Sequence, residues 1–374
     1  LSFLIGHFVS PGVFGEYTLI QSVLGMLTFL SLPGIDLALP KSIAQGFEGS
    51  LNLTWKLKFK LSLFGIPILL LFSLYYFFQQ KTAIALGLGV GALFFPVLNT
   101  FTSYPAFLAG KRLFGKLAIY SSLSSLFFLA CVGTISVLFP STVILIFGYF
   151  IALIFPTVLF FNISKQLAQN SKVDTHLTGY ATFLTTLSIL PWISGNIGSI
   201  ILERNMGAET LAIFAVASKF LTSVQKNFQV FYKPVTAKLA SMDPANFRKT
   251  VMVHGVKLVI MGLSLCVTLY VATPFLIRFF FSQEYYSAIW YGQILSLALI
   301  PLPLTWVVSD MLVFQKQKLP QIFTSTLPHL IKLFLFLLVI PHFGIVGLIV
   351  IILIDRYFEP VLPLYFLYKH SGNK

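Results

Sequence analysis

Lys219, Lys226 and Lys233 are spaced by seven residues within a stretch apolar enough to cross a bilayer. Seven residues of α-helix make two turns less about 20°, so the three ammonium groups fall on one stripe. Thr222, Ser223, Gln229 and Thr236 lie close to it, while Leu211, Phe214, Leu221, Val224 and Phe228 give the same helix an apolar surface elsewhere. A lysine at the bilayer centre costs roughly 2.5–3.5 kcal/mol on insertion scales, so the stripe is expected to face water. At 1.5 Å per residue it would line about 21 Å of a cavity. Ammonium groups bind phosphate oxygens well as point charges, so the cargo expected is anionic. The competing reading is that Lys233 and partly Lys226 snorkel to the membrane surface and that Lys219 alone is buried, paired with an acid.

Three carboxylates inside spans, Asp36, Asp310 and Asp355, are candidates for coupling transport to Na+ or H+. Asp355 and Asp36 each have a plainer alternative. Lys332 and Asp355 fall near the middle of consecutive antiparallel spans and read equally well as a structural pair. Asp36 follows Pro33-Gly34, where capping a bend is at least as good a role. Arg356 and Glu359, three apart, read as an intrahelical pair, and His254 and Lys257 as interfacial. Cys131 and Cys266 both lie in apolar runs, with no CxxC and no metal-ligand spacing, so redox chemistry and structural zinc drop out.

The elements that must hold these groups follow from composition. Charged residues are 10% of the 374, against about 25% in a soluble domain, which excludes that class. Aromatic residues make up 16% and mean hydropathy is +0.89, as befits a chain whose solvent is mostly lipid. Taking about 20 residues per crossing, eleven spans can be cut at 17–39, 57–78, 83–109, 117–139, 142–163, 179–202, 210–233, 251–277, 288–314, 322–340 and 344–367. Residues 1–10 read as the tail of a first span whose start is absent, giving twelve. One side of this arrangement holds Lys41, Lys56, Lys58, Lys60, Lys111, Arg112, Lys116, Lys165, Lys172, Lys238, Arg248, Lys249, Lys316, Lys318, Lys369 and Lys374. The other holds Lys81, Arg204 and Arg278. That asymmetry puts both termini in the cytoplasm. The connections are too short for a soluble domain, and the net charge of +14 reflects this sidedness, with no nucleic-acid partner implied.

The chain also repeats itself. Ser10-Pro11-Gly12-Val13-Phe14-Gly15-Glu16-Tyr17 lies over Gly207-Ala208-Glu209-Thr210-Leu211-Ala212-Ile213-Phe214, and the same offset brings Lys41 onto Lys238. The offset joins helices of one orientation, so the repeat is parallel, about an axis along the membrane normal. With Leu30-Ser31-Leu32-Pro33-Gly34-Ile35-Asp36-Leu37-Ala38-Leu39 and the degenerate copy from Met206 to Phe214, these residues resemble the polysaccharide transporters of the multidrug/oligosaccharidyl-lipid/polysaccharide flippase superfamily, O-antigen flippases among them. Members often carry an Asp-Arg pair near the end of the seventh span; here Gly198-Ser199 stands, and no role tied to that pair carries over.

The resemblance implies an all-α polytopic membrane protein of two six-helix lobes, 1–170 and 171–374. It implies a lipid-diphosphate-linked oligosaccharide, such as an O-antigen or lipopolysaccharide repeat unit, carried across the plasma (inner) membrane by alternating access through a positive central cavity. No cofactor is implied beyond Na+ or H+ as coupling ion, and the partners are the lipid-linked substrate, membrane lipids and other polysaccharide-assembly membrane proteins. The runner-up is an ion-coupled multidrug exporter of the same superfamily, whose cationic cargo a lysine stripe suits poorly. A membrane glycosyltransferase or polymerase is weaker still, because the outer connections are too short to present catalytic groups. The chain is therefore expected not to be an enzyme.

Overall fold

A computed structural model of the chain describes the backbone of residues 6–240, 244–314 and 318–371, and the side chains of 6–228, 253–311, 322–324 and 326–366. Among these the structure is helical throughout, without a strand. It divides into two compact units by internal contacts, residues 3–200 and 201–374.

In the first unit the chain runs through α1 (Pro11–Leu27), α2 (Gly34–Ala44), α3 (Ser50–Ser62), α4 (Gly65–Phe78), α5 (Thr82–Thr100), α6 (Tyr104–Gly110), α7 (Phe114–Leu138), α8 (Thr142–Lys165) and most of α9 (Leu177–Met206). Several of these are halves of broken spans, and each break sits just ahead of a proline. A proline lacks the N–H that continues a helix and crowds the preceding turn. The α1–α2 break has Leu32 in the left-handed region, φ 57, before Pro33. The α3–α4 break falls at Leu63-Phe64, ahead of Pro67, and the α5–α6 break at residues 101–103, ahead of Pro105. The packed interior beneath the α1–α2 break is apolar, built on Ile35, Leu39, Leu51, Phe107 and Phe161. Across α1 and α8, Thr142 Oγ1 donates to Glu16 Oε2.

The second unit holds α10 (Ala208–Ala240), α11 (Pro244–Phe280), α12 (Ala288–Ser296), α13 (Leu302–Phe314), α14 (Lys318–Phe358) and α15 (Val361–Ser371). Pro301 and Pro303 stand at the end of the α12–α13 break, on either side of the first residue of α13. Within α14 the backbone leaves helical geometry at Gly344, φ 55, which only glycine adopts without strain. That turn divides the 41-residue helix into two limbs, the second followed by α15 within the apolar segment that runs to Phe366.

Nine helical segments among the described residues are long and apolar enough to cross a membrane. The difference from twelve expected spans has a physical source. The segment Ile322–Phe366 counts once although it folds back at Gly344, α10 with its lysines does not count, and residues 1–5 lie outside the described residues. The chain also enters α3 earlier than the span cut at 57–78, at Ser50, so Lys56 lies on the same helix as Lys58 and Lys60. Large apolar side chains cover the outside, Leu71, Leu93, Phe155, Phe275, Phe279 and Phe334 each more than half exposed, as a lipid-facing wall requires.

Helices approach closely where glycine removes the Cβ. One placed on Gly262 of α11 would collide with the carbonyl oxygen of Ile300, and one on Gly34 with that of Ala181. Backbone cannot yield as a flexible side chain can, so Gly262→Ala is expected to cost about 1–3 kcal/mol. Gly115→Ala, which meets nothing within 4 Å, should not destabilise. Thermal unfolding of the purified chain in detergent measures both.

Candidate functional site

The repeat signature marks the start of two corresponding helices: α1 follows Ser10 and α10 follows Gly207, whose φ is 85. They differ beyond that point. The Leu32-Pro33-Gly34 break has no counterpart in α10, which continues for 33 residues. Its apolar face is held inside the second unit. Leu211, Ala212, Val216, Ala217, Phe220 and Leu221 are buried, Phe220 meets Phe281 edge-on at 6.2 Å, and Phe228 stacks on Trp306 of α13 at 5.7 Å. The opposite face is polar: Thr222, Lys226 and Asn227 are exposed and Lys219 is half-buried. Thr222 and Ser223 turn their hydroxyls back onto the Lys219 carbonyl at 2.9 and 2.8 Å, so their oxygens stay with the backbone and the lysines provide the free charge of this face. Lys219 lies eleven residues into α10, about 16 Å from its start. The side chain of Lys233 lies outside the described residues.

A cluster that the sequence reading missed sits in the first unit. Lys58 of α3 is 1% exposed and its ammonium donates to Asp36 Oδ2 at 2.6 Å. It also donates to Thr102 Oγ1 at 2.7 Å and Ser103 Oγ at 3.3 Å, both in the α5–α6 break. Ser103 Oγ in turn donates to Asp36 Oδ1. Lys58 is therefore not one of the surface cations that set the side of the membrane, as its count with Lys56 and Lys60 assumes; it is an internal charge. The signal for this was present. On a helix, residues 56 and 60 share a face while 58 lies about 200° round from 56, and the structure leaves Lys56 and Lys60 exposed with Lys58 buried.

The second unit has its own pair. Lys332 Nζ donates to Asp355 Oδ2 at 2.7 Å, joining the two limbs of α14, with side-chain exposures of 13% and 11%. Arg356 and Glu359 pair along the helix at 2.9 Å. Lys332 and Asp355 lie in the wall of a cavity of about 360 Å³, otherwise apolar, lined by Leu327, Ile331, Leu335, Ile351 and Phe358. Asp310 is half-buried on α13, and His254 and Lys257 are exposed on α11.

At the lysine-rich end of the first unit, three connections are clasped together. Lys111, just after α6, bonds Glu48 at 2.9 Å and the Leu167 carbonyl at 2.7 Å. Glu48 also accepts from the Gln169 N–H, and the Asp174 N–H donates to Ser50 Oγ at 3.0 Å. Burial would push the Glu48 carboxyl up, but the N–H donors of Gln169 and Asn170 and the Lys111 ammonium outweigh it and hold the group below its ordinary 4.5.

A family model described as polysaccharide biosynthesis protein matches residues 1–238, well over half of the chain. The chain belongs to the polysaccharide biosynthesis protein family. No curated protein matches it. Among solved structures, it resembles a multidrug resistance MATE family transporter of the MOP superfamily in an outward-facing conformation, with a TM-score of 0.67 and 13% identity, covering 99% of this chain and 90% of that one. An inward-facing conformation of such a transporter gives 0.66 at 11% identity, covering 100% and 96%. A MOP superfamily transporter from Pyrococcus furiosus, described as having a binding pocket of reverse polarity that suggests a different function, gives 0.66 at 12%, covering 99% and 90%. These likenesses show the fold, the all-α two-lobe architecture of MOP superfamily transporters, and family membership makes this chain a polysaccharide biosynthesis protein built on it.

Two consequences can be measured. A buried pair that loses one partner strands the other charge, so Lys332→Ala should cost about 3–5 kcal/mol of stability, and the exchange Lys332→Asp with Asp355→Lys should regain most of it. Glu48, with its carboxyl held low, stabilises the folded chain fully above the unfolded value near 4.5 and loses that contribution as pH falls through its lower folded value. The difference in unfolding midpoint between the native chain and Glu48→Gln should thus be constant at neutral pH and shrink progressively below pH 4.5.

Proposed function

We propose that the protein is a flippase that carries lipid-diphosphate-linked oligosaccharides across the plasma membrane for polysaccharide assembly. The observation that carries this reading is the polar face of α10. A membrane-length helix exposes Lys226, half-exposes Lys219 and surrounds them with Thr222 and Asn227, while Glu209 in its first turn is the helix's only acid. Hydrocarbon would expel such a face, so water and an anion suit it. A diphosphate has the charge and the oxygen acceptors to meet two ammonium groups. Family membership supports a saccharide cargo. An O-antigen or other surface-polysaccharide unit at the inner membrane, with both chain termini in the cytoplasm, is the setting that fits the lysine asymmetry.

The fold likeness to multidrug transporters favours a second reading, export of organic cations. Two ammonium groups on an exposed helix face would repel such cargo, and that ranks it second. Asp36 and Asp355 are each held by a lysine ammonium, so neither offers a bare carboxylate to a coupling ion or a cationic drug.

Reconstitution in proteoliposomes with a fluorescent undecaprenyl-diphosphate oligosaccharide tests the proposal. One hydrogen bond to a charged group is worth about 1.5–3 kcal/mol, and 1.4 kcal/mol is tenfold. Lys219→Ala and Lys226→Ala are each expected to slow translocation about tenfold or more while the protein still folds. Wild-type protein that moves no such lipid, or alanine variants that match it, would reject this function.

A further inference from the structure

Three oxygens from two stretches of the first unit converge on a single nitrogen. Asp36 supplies Oδ2 from α2, and Thr102 and Ser103 supply their hydroxyl oxygens from the α5–α6 break, while Asp36 Oδ1 takes the Ser103 proton. The hydroxyl hydrogens are spent elsewhere. Thr102 Oγ1 donates to the Asn99 carbonyl at 3.0 Å and Ser103 Oγ donates to Asp36 Oδ1. What they present inward is lone pairs alone, alongside one full negative charge. Carboxylate, hydroxyl and carbonyl oxygens with their protons turned away are the donors that hard cations select. Here they surround the Lys58 ammonium, which is 1% exposed and has three acceptors for its three N–H groups.

We propose that this cage is a monovalent-cation site whose cation is supplied by the chain itself: the Lys58 ammonium fills the place of a Na+ or K+ ion, and the first unit therefore takes up no alkali cation at Asp36. The assignment is independent of which substrate the protein carries. It differs from an ordinary buried ion pair in a way that can be measured. An ion pair deprived of its lysine leaves a stranded carboxylate whatever the salt. A cation cage deprived of its lysine accepts a free cation.

The experiment compares thermal unfolding midpoints of the full chain in nanodiscs at pH 8, in equal concentrations of choline, sodium and potassium chloride. Lys58→Met keeps most of the side-chain stem and removes the charge; Lys58→Ala leaves more room and should behave alike. The wild-type midpoint is expected to be the same in all three salts. In the lysine variants the midpoint should fall in choline and rise by about 2–4 °C in Na+ or K+, through binding to the folded state alone. Lys58→Met combined with Asp36→Asn should lose the response. The proposal is overturned if the Lys58 variants unfold at one midpoint in all three salts, if the wild type responds to Na+ or K+ as they do, or if the variants are restored by acidification and not by alkali cations. Variants that cannot be obtained folded even in Na+ or K+ buffer overturn it as well, since the cage would then accept no free ion.

Discussion

A charge enclosed by helices that are themselves enclosed by hydrocarbon must be matched within the protein, because no water is there to do it. That constraint shapes both units. Each unit has a lysine ammonium brought against an aspartate on a consecutive span, Lys58 with Asp36 and Lys332 with Asp355, at sequence separations of 22 and 23. In the first unit the acid precedes the base, and in the second the order is reversed. The pairs are not copies of one another under the internal repeat. The offset that carries Ser10 onto Gly207 carries Asp36 onto Lys233, an acid in one half over a base in the other. The halves share a helical plan but have placed their charges independently.

The breaks in the helices follow from the same constraint. The Lys58 cage needs side chains from α2, α3 and the residues between α5 and α6, and an unbroken α5 would continue its own hydrogen bonding through residues 101–103. The interruption ahead of Pro105 places Thr102 and Ser103 where their hydroxyls meet Lys58, and the one ahead of Pro33 starts α2 so that Asp36 lies in its first turn. Backbone freed at such points is tolerable at membrane depth only inside protein, and Ser103, Thr100 and Lys58 are all fully enclosed there.

Much of this was legible in the sequence. Apolar runs of about 20 residues announced an all-α membrane chain, the repeat announced two related halves, and the sevenfold spacing of Lys219 and Lys226 identified the polar face of α10. Lys332 and Asp355 could be matched because both lie deep inside apolar runs, where a charge stands out. Lys58 could not, because hydropathy falls at the end of a span and three alternating lysines there look like a solvated connection. On the helix that begins at Ser50, positions 56 and 60 share one face while 58 lies about 200° round from 56 and turns inward. The clasp of Glu48 with Lys111 and residues 167–169 was beyond reach for a different reason. It depends on three connections meeting, and no local pattern encodes where separate connections meet.

The Lys58 cage also bears on how such a chain enters the membrane. Asp36 is synthesised 22 residues before Lys58, while Thr102 and Ser103 follow 44 and 45 residues after it. A lone charge presented to the bilayer during insertion costs roughly 2.5–3.5 kcal/mol. Acid and base here emerge on adjacent helices, so the hairpin can partition as a neutral body before the rest of its lobe exists. The hydroxyls arrive later, to complete the coordination of a charge that is already compensated.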